Sequence, residues 1–149
     1  NNFRNARYSS IRGVIESEKP AFMVVDQLYD LSDGTGERDI RKRIVNVSNQ
    51  IREVNLYTQT PIMLVAQAGR ESAKESKKDP NASPELHQIQ ESDAPAQKAT
   101  RVLTLRKIED IFKISLKKNR GGVKDKDVYM RADIDTGVWQ ETTEEEEVF

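Results

Sequence analysis

Two short apolar runs, each closed by a polar residue and separated by one amphipathic stretch, constrain the fold of this chain more than any other feature. The first, Ala21-Phe22-Met23-Val24-Val25, ends in Asp26; the second, Ile62-Met63-Leu64-Val65-Ala66, follows Pro61 and ends in Gln67. Continuous apolar runs of this length read as strands buried on both faces, as in parallel sheets. Between them Ile40, Ile44, Val47, Ile51 and Val54 recur at steps of four, three, four and three, with Arg38, Arg41, Lys42, Arg43, Gln50 and Arg52 on the other faces. That spacing predicts a helix with one apolar stripe. Each aliphatic side chain it buries contributes about 1.5–3 kcal/mol, enough in sum to dock the helix on a sheet. Strand, helix, strand in this order makes a right-handed crossover between parallel strands, so the fold class is α/β. Asp26 and Gln67 then close neighbouring strands at the carboxyl edge, where loops diverge and leave a ligand crevice.

The flanking segments differ in character. Tyr8, Ile11, Val14 and Ile15 predict a first helix that stops at Lys19-Pro20, because proline lacks the amide donor and restrains the residue before it. From Ala68 to Lys98 the chain turns polar, and a stretch of that length inside a domain is functional or disordered. Alternating runs follow over Arg101–Arg106, Ile111–Lys117, Val128–Ala132 and Val138-Trp139. They are separated by Glu109-Asp110, Gly121-Gly122 and Asp135-Thr136-Gly137. Period two with short turns predicts antiparallel hairpins. Residues 1–140 are read as one portion of a domain, and 141–149, with four consecutive glutamates, as an acidic disordered tail.

Composition excludes several chemistries. The 149 residues hold 24 Lys plus Arg against 25 Asp plus Glu, one His and no Cys. There is no thiolate nucleophile, disulfide framework or Cys-based zinc site, and a lone histidine cannot build a His cluster. His87 reads as an exposed loop residue, and Trp139 as a core anchor rather than a base-stacking platform. No apolar run reaches the roughly 20 residues a membrane span needs, so no membrane partner is expected. Attraction to a polyanion must be local, since the net charge is −1. The basic stretch is Lys113, Lys117, Lys118, Arg120, Lys124 and Lys126, with Lys118 and Arg120 expected at a hairpin tip.

Three positions suit phosphate chemistry. An aspartate closing a buried apolar strand can hold Mg2+ beside bound phosphates, directly or through water, as P-loop nucleotidases do; the alternative for Asp26 is a turn-capping carboxylate. An amide in the place of Gln67 can sense a terminal phosphate or orient a water, or can simply bond the next loop. A guanidinium on a turn, Arg120 beside Lys118, suits phosphate contact, whereas lysines on an edge strand also serve solubility.

Taken in order, these segments resemble the C-terminal half of the RecA-like motor domain of DnaB-type replicative DNA helicases, bacterial or phage-encoded, from about Pro20 to Trp139. Phe22-Met23-Val24-Val25-Asp26-Gln27-Leu28-Tyr29-Asp30-Leu31 resembles the Walker B segment, with Gln27 where tyrosine is more usual. Ile62 to Arg70 is similar to the strand ending in Ser-Gln-Leu-Asn-Arg, whose glutamine senses the γ-phosphate, a role that carries to Gln67. Gln88 to Thr100 resembles the Asp-Leu-Arg-Glu-Ser-Gly segment of the loops lining the DNA channel. Here Gln90 and Asp93 replace Arg and Gly, and Lys98 and Thr100 replace acidic positions. Lys118-Asn119-Arg120-Gly121-Gly122 resembles the Lys-Gln-Arg-Asn-Gly turn, whose Lys and Arg reach the γ-phosphate of the neighbouring subunit.

The resemblance implies ATP and Mg2+ as cofactors, a hexameric ring in the full-length protein, and single-stranded DNA as partner, contacted by Arg70, Lys74, Lys77, Lys78, Gln90, Glu91 and Ser92. A primase, polymerase or loader would be a further partner, and the cytoplasm of a bacterial or phage-infected host the location. No Gly-x-x-x-x-Gly-Lys-Ser/Thr occurs in the 149 residues. The expectation is therefore a C-terminal piece of a longer helicase or a split-gene product, itself unable to turn over ATP. Two other readings stay open: a RecA/RadA-type recombinase or other RecA-like ATPase, and a non-enzymatic nucleic-acid-binding or adaptor module. The tail ending in Val148-Phe149 resembles the acidic tips that dock replication proteins; a solvated tail is the alternative.

Overall fold

A computed structural model of the chain describes residues 7–69, 79 and 82–143. Two compact units divide it: Asn1–Gln67 with Ile89–Ala99, and Ala68–Gln88 with Thr100–Phe149.

The first unit is built on a parallel pair of strands, β1 (Met23–Val25) and β2 (Ile62–Leu64), in the register Met23 to Ile62, Val24 to Met63 and Val25 to Leu64. Helix α1 (Tyr8–Glu18) precedes them and ends as expected: Lys19 turns left-handed at φ 47° and its amide donates to the Ile15 carbonyl. Helix α2 (Ile40–Thr58) makes the crossover. Asp39 caps it, its carboxylate accepting from the amides of Arg41 (2.8 Å) and Lys42 (3.3 Å). Its stripe of Ile44, Val47, Ile51 and Val54 is buried with Ile11 and Ile15 of α1 and Val25, Leu28 and Leu31, while Met23, Ile62, Leu64 and Ala66 pack against them. The first position of the expected stripe, Ile40, lies in the opening turn of the helix and is exposed.

The loop entering α2 is fixed by one buried carboxylate. Asp33 accepts from the Asn46 side-chain amide (2.8 Å), the Thr35 hydroxyl (2.7 Å) and the Thr35 backbone amide (3.1 Å), and its own carbonyl accepts from Gln50 (2.9 Å). The bonds from Asn46 and then Thr35 hold this carboxyl below the ordinary aspartate range, against the opposing effect of burial. A short helix, α3 (Ala94–Lys98), completes the unit. Its last carbonyl accepts from Arg52 at 3.1 Å, which ties it to α2.

One expectation needs correction. The two apolar runs are not buried on both faces: exposure alternates, with Phe22 (50%), Val24 (53%), Met63 (45%) and Val65 (37%) turned away from the helices. Both α1 and α2 contribute to the core beneath the opposite face, so among the described residues nothing covers this one.

The second unit is an antiparallel meander, β3 (Arg101–Ile108), β4 (Ile111–Asn119), β5 (Lys126–Asp133) and β6 (Val138–Thr142), in the order of the chain. The expected hairpins are present, with longer strands than the alternation marked. Because Met130 pairs with Glu141 and Tyr129 with Thr142, the tail boundary at 141 moves beyond Thr142; residues 144–149 lie outside the described residues. Strand pairing puts Thr104, Arg106, Lys113, Ser115, Asp127 and Tyr129 on one face. The segment 82–88 covers part of it: Ser83 bonds Ser115 at 2.7 Å, Glu85 accepts from Lys117 at 2.7 Å, and the Ala82 carbonyl accepts from Arg106 at 2.8 Å. The other face carries Leu103, Leu105 and Val128, all exposed. Trp139, expected as a core anchor, is 47% exposed on that face and leans on Phe112, with ring centroids 4.9 Å apart.

Candidate functional site

Asp26 and Gln67 come to one edge of the parallel pair. Two bonds continue the ladder past the strand ends: the Val65 amide donates to the Val25 carbonyl (3.0 Å), and the Leu28 amide donates to the Val65 carbonyl (2.9 Å). Asp26 and Gln27 lie between these anchors, joined by a cis peptide. Their turn is thus pinned on both sides to the strand that leads into Gln67. Both Asp26 and Gln67 are exposed at the carboxyl ends of the strands, where an α/β sheet binds its ligands. Among the described residues there is no group of three or more His, Cys, Asp or Glu able to hold a metal by itself. A single carboxylate fits Mg2+ nonetheless, because that ion keeps several waters and takes the rest of its shell from one or two carboxylates and substrate phosphates.

The loop expected to contact DNA in this unit, Gln90-Glu91-Ser92, is joined to the same edge. The Gln90 amide donates to the Gln67 carbonyl at 3.1 Å. The Tyr29 hydroxyl, in the 3-10 turn Leu28–Asp30, lies 2.8 Å from the Gln90 carbonyl and 3.3 Å from the Gln67 carbonyl. Burial, and next the Glu91 carboxylate, push the tyrosine pKa up, which keeps the hydroxyl a donor. Glu91 itself is left-handed, at φ 66°, and its carboxylate is 3.9 Å from Arg41. Ser92 returns its amide to the Gln90 carbonyl (2.9 Å) and caps the Ala94 amide through its hydroxyl (3.2 Å). Tyr29 was quoted in the sequence only as part of an apolar segment; an aromatic three residues beyond a strand-closing aspartate is the signal that could have marked it.

In the second unit the basic hairpin divides into paired and outward groups. Lys113 sits 3.0 Å from Asp127 and Lys117 2.7 Å from Glu85, while Lys124 lies 3.6 Å from Asp125. These ion pairs reduce the expected basic patch, since their charges are partly spent within the unit. Lys118 ends β4 opposite Val102, and Arg120 opens the turn, its amide donating to the Thr100 carbonyl at 3.0 Å. Partial burial and then the Arg120 charge push the Lys118 pKa down, the mark of two cations sharing one locality. Asn119 between them grips the turn, donating to the Val123 carbonyl (3.1 Å) and accepting from the Gly121 amide (3.4 Å). A Cβ at Gly122 would stand 3.0 Å from the Asn119 amide nitrogen.

Arg70, Lys74, Lys77 and Lys78 lie outside the described residues. His87 is exposed, as expected. No helix among the described residues is long and apolar enough to cross a membrane.

No protein-family model and no curated relative matches this chain. Solved structures do. An ATPase domain of a DnaB-like helicase superposes with a TM-score of 0.79 at 16% identity, over 92% of this chain and 52% of that domain. A DnaB-like replicative helicase, described with its interactions with primase, gives 0.78 at 17% identity, over 89% of this chain and 35% of that one. The chain therefore has the α/β fold of a RecA-like helicase ATPase domain and spans about half of the first neighbour and about a third of the second.

Proposed function

We propose that this chain is the C-terminal portion of a hexameric, ATP-dependent replicative DNA helicase. The observation that carries the reading is the pairing of Val25 with Leu64, which sets Asp26 and Gln67 side by side at the carboxyl edge of a fold shared with DnaB-like ATPase domains. The uncovered apolar face of Phe22, Val24, Met63 and Val65 supports a chain that is one portion of a larger domain, because parallel sheets are covered on both faces. The remainder would carry the phosphate-cradling loop that these 149 residues lack.

In this reading Asp26 holds Mg2+, directly or through water, and Gln67 contacts the γ-phosphate of ATP bound to the same subunit. Bound Mg2+ supplies charge neutralisation on the phosphates. Lys118 and Arg120 serve the site of the adjacent subunit, where a guanidinium stabilises the charge that develops as the γ-phosphoryl transfers. Gln90, Glu91 and Ser92, with Arg70, Lys74, Lys77 and Lys78, face single-stranded DNA. A primase, polymerase or loader acts as an accessory partner, in the cytoplasm of a bacterial or phage-infected host.

The test is Arg120→Ala in the full-length protein. Turnover in assembled rings is expected to fall by ~10³-fold or more, with nucleotide binding largely retained. ATP turnover at the wild-type rate in Arg120→Ala rings would overturn the assignment.

A further inference from the structure

We propose that Tyr29 is a positioning residue that couples nucleotide occupancy at Gln67 to the conformation of the Gln90–Ser92 loop. The inference rests on the helicase reading for what the two ends bind, and on the hydrogen bonds of the first unit for the connection between them. The Tyr29 hydroxyl has one proton and two carbonyls in reach, Gln90 at 2.8 Å and Gln67 at 3.3 Å. Its ring is carried on the turn that follows Asp26, so it is anchored to the strand end expected to meet the metal. The Gln90 amide bonds the Gln67 carbonyl, and the Gln90 carbonyl is shared by the tyrosine and the Ser92 amide. Any shift of the Gln67 backbone on contact with a γ-phosphate therefore alters the distances among three donors and two carbonyls, and the nearest loop to respond is Gln90–Ser92.

That loop is poised to respond. Glu91 holds a left-handed backbone at φ 66° without being glycine, a conformation that costs about 1–2 kcal/mol. The bonds that close around it, from Tyr29 and Ser92 to the Gln90 carbonyl, are what keep it there. Loosening one of them biases the loop toward ordinary backbone geometry, which changes how Gln90, Glu91 and Ser92 present themselves to a strand of DNA. The connection works in both directions, because an equilibrium coupling between two sites is reciprocal.

Tyr29→Phe removes the hydroxyl and keeps the ring. In the full-length protein, the measurements are the affinity for a fluorescent oligo(dT) strand with and without a non-hydrolysable ATP analogue, and the affinity for that analogue with and without oligo(dT). In the wild type each ligand changes the affinity for the other by the same factor. In Tyr29→Phe both factors are expected to shrink together by about three- to tenfold, the range that one net hydrogen bond can supply, while each ligand alone binds within twofold of wild type. A purely structural role for the hydroxyl would lower the melting temperature or both single-ligand affinities and leave the coupling factor unchanged; that outcome overturns the proposal. A wild-type protein that binds neither ligand overturns the helicase reading itself, so the two failures are told apart.

Discussion

The two units each cover one face of a sheet and leave the other open, and the covered faces have opposite chemistry. In the parallel pair the helices α1 and α2 bury aliphatic groups, Val25 at 8% exposure and Ile44 at 2%. In the meander the covered face is polar: Ser115 is wholly buried against Ser83, and Lys113 is nearly so, held by Asp127. Burial alone raises the cost of the Lys113 charge; the Asp127 and Tyr129 side chains more than offset it, and the lysine pKa moves up. Yet the open faces are alike, both apolar, with Val24 and Met63 on one and Leu103 and Leu105 on the other. Polar groups on a sheet are thus not a guide to which side meets water. What matters is whether each has a partner, and the segment 82–88 supplies several of them.

The comparison is sharpest where truncation of a covered aliphatic is set against change on an open one. Ile44→Ala is expected to produce the largest loss, about 2–5 kcal/mol in denaturant unfolding, because a cavity opens beneath β1 and β2 where nothing else can fill it. A loss under about 1 kcal/mol would mean that the core of the first unit repacks freely, and the contrast between its faces would collapse.

Next in size is an effect of acid. The folded state depresses the Asp33 pKa, so it favours the charged carboxylate; the stability this contributes is present above the ordinary carboxylate value, ~3.9 for an unfolded aspartate, and is lost as pH falls through the lower folded value. Asp33→Asn should flatten the acid limb of the unfolding profile relative to wild type. Parallel profiles below ~pH 4 would show that the loop into α2 draws nothing from this charge.

The smallest effects belong to the open faces. Val24→Thr and Leu105→Thr should each change the unfolding free energy by no more than about 0.5 kcal/mol while lowering the fluorescence of a bound hydrophobic dye. A loss of several times that size at either position would show the face to be covered, and would break the likeness between the two units.

These differences also explain what could be read from residues alone. The spacing of Ile44, Val47, Ile51 and Val54 has one good solution, a helix docked by that stripe, and the structure has it. The strands ending in Asp26 and Gln67 were equally legible, because proline-led or glycine-bounded apolar runs on either side of such a helix have few other arrangements. Cover was not legible. Phe22, Val24, Met63 and Val65 look like interior residues by type, and hydrophobicity records what a side chain prefers without recording what is packed on it. Trp139 misled in the same way. Tyr29 was hidden for another reason: its hydroxyl meets carbonyls 38 and 61 residues away in the chain, and no local pattern encodes a bond across that separation.

Asn119 gives the basic hairpin a property that a count of charges does not convey. With its amide bridging Val123 and Gly121, the bend that carries Arg120 is already shaped before any anion arrives. The backbone freedom that a slack loop would surrender on contact has been given up during folding, so a phosphate meeting Arg120 has only the side chain left to immobilise. Recognition at this tip is in that sense a matter of timing: the ordering belongs to the birth of the fold, and the encounter that follows can be quick, reversible and repeated.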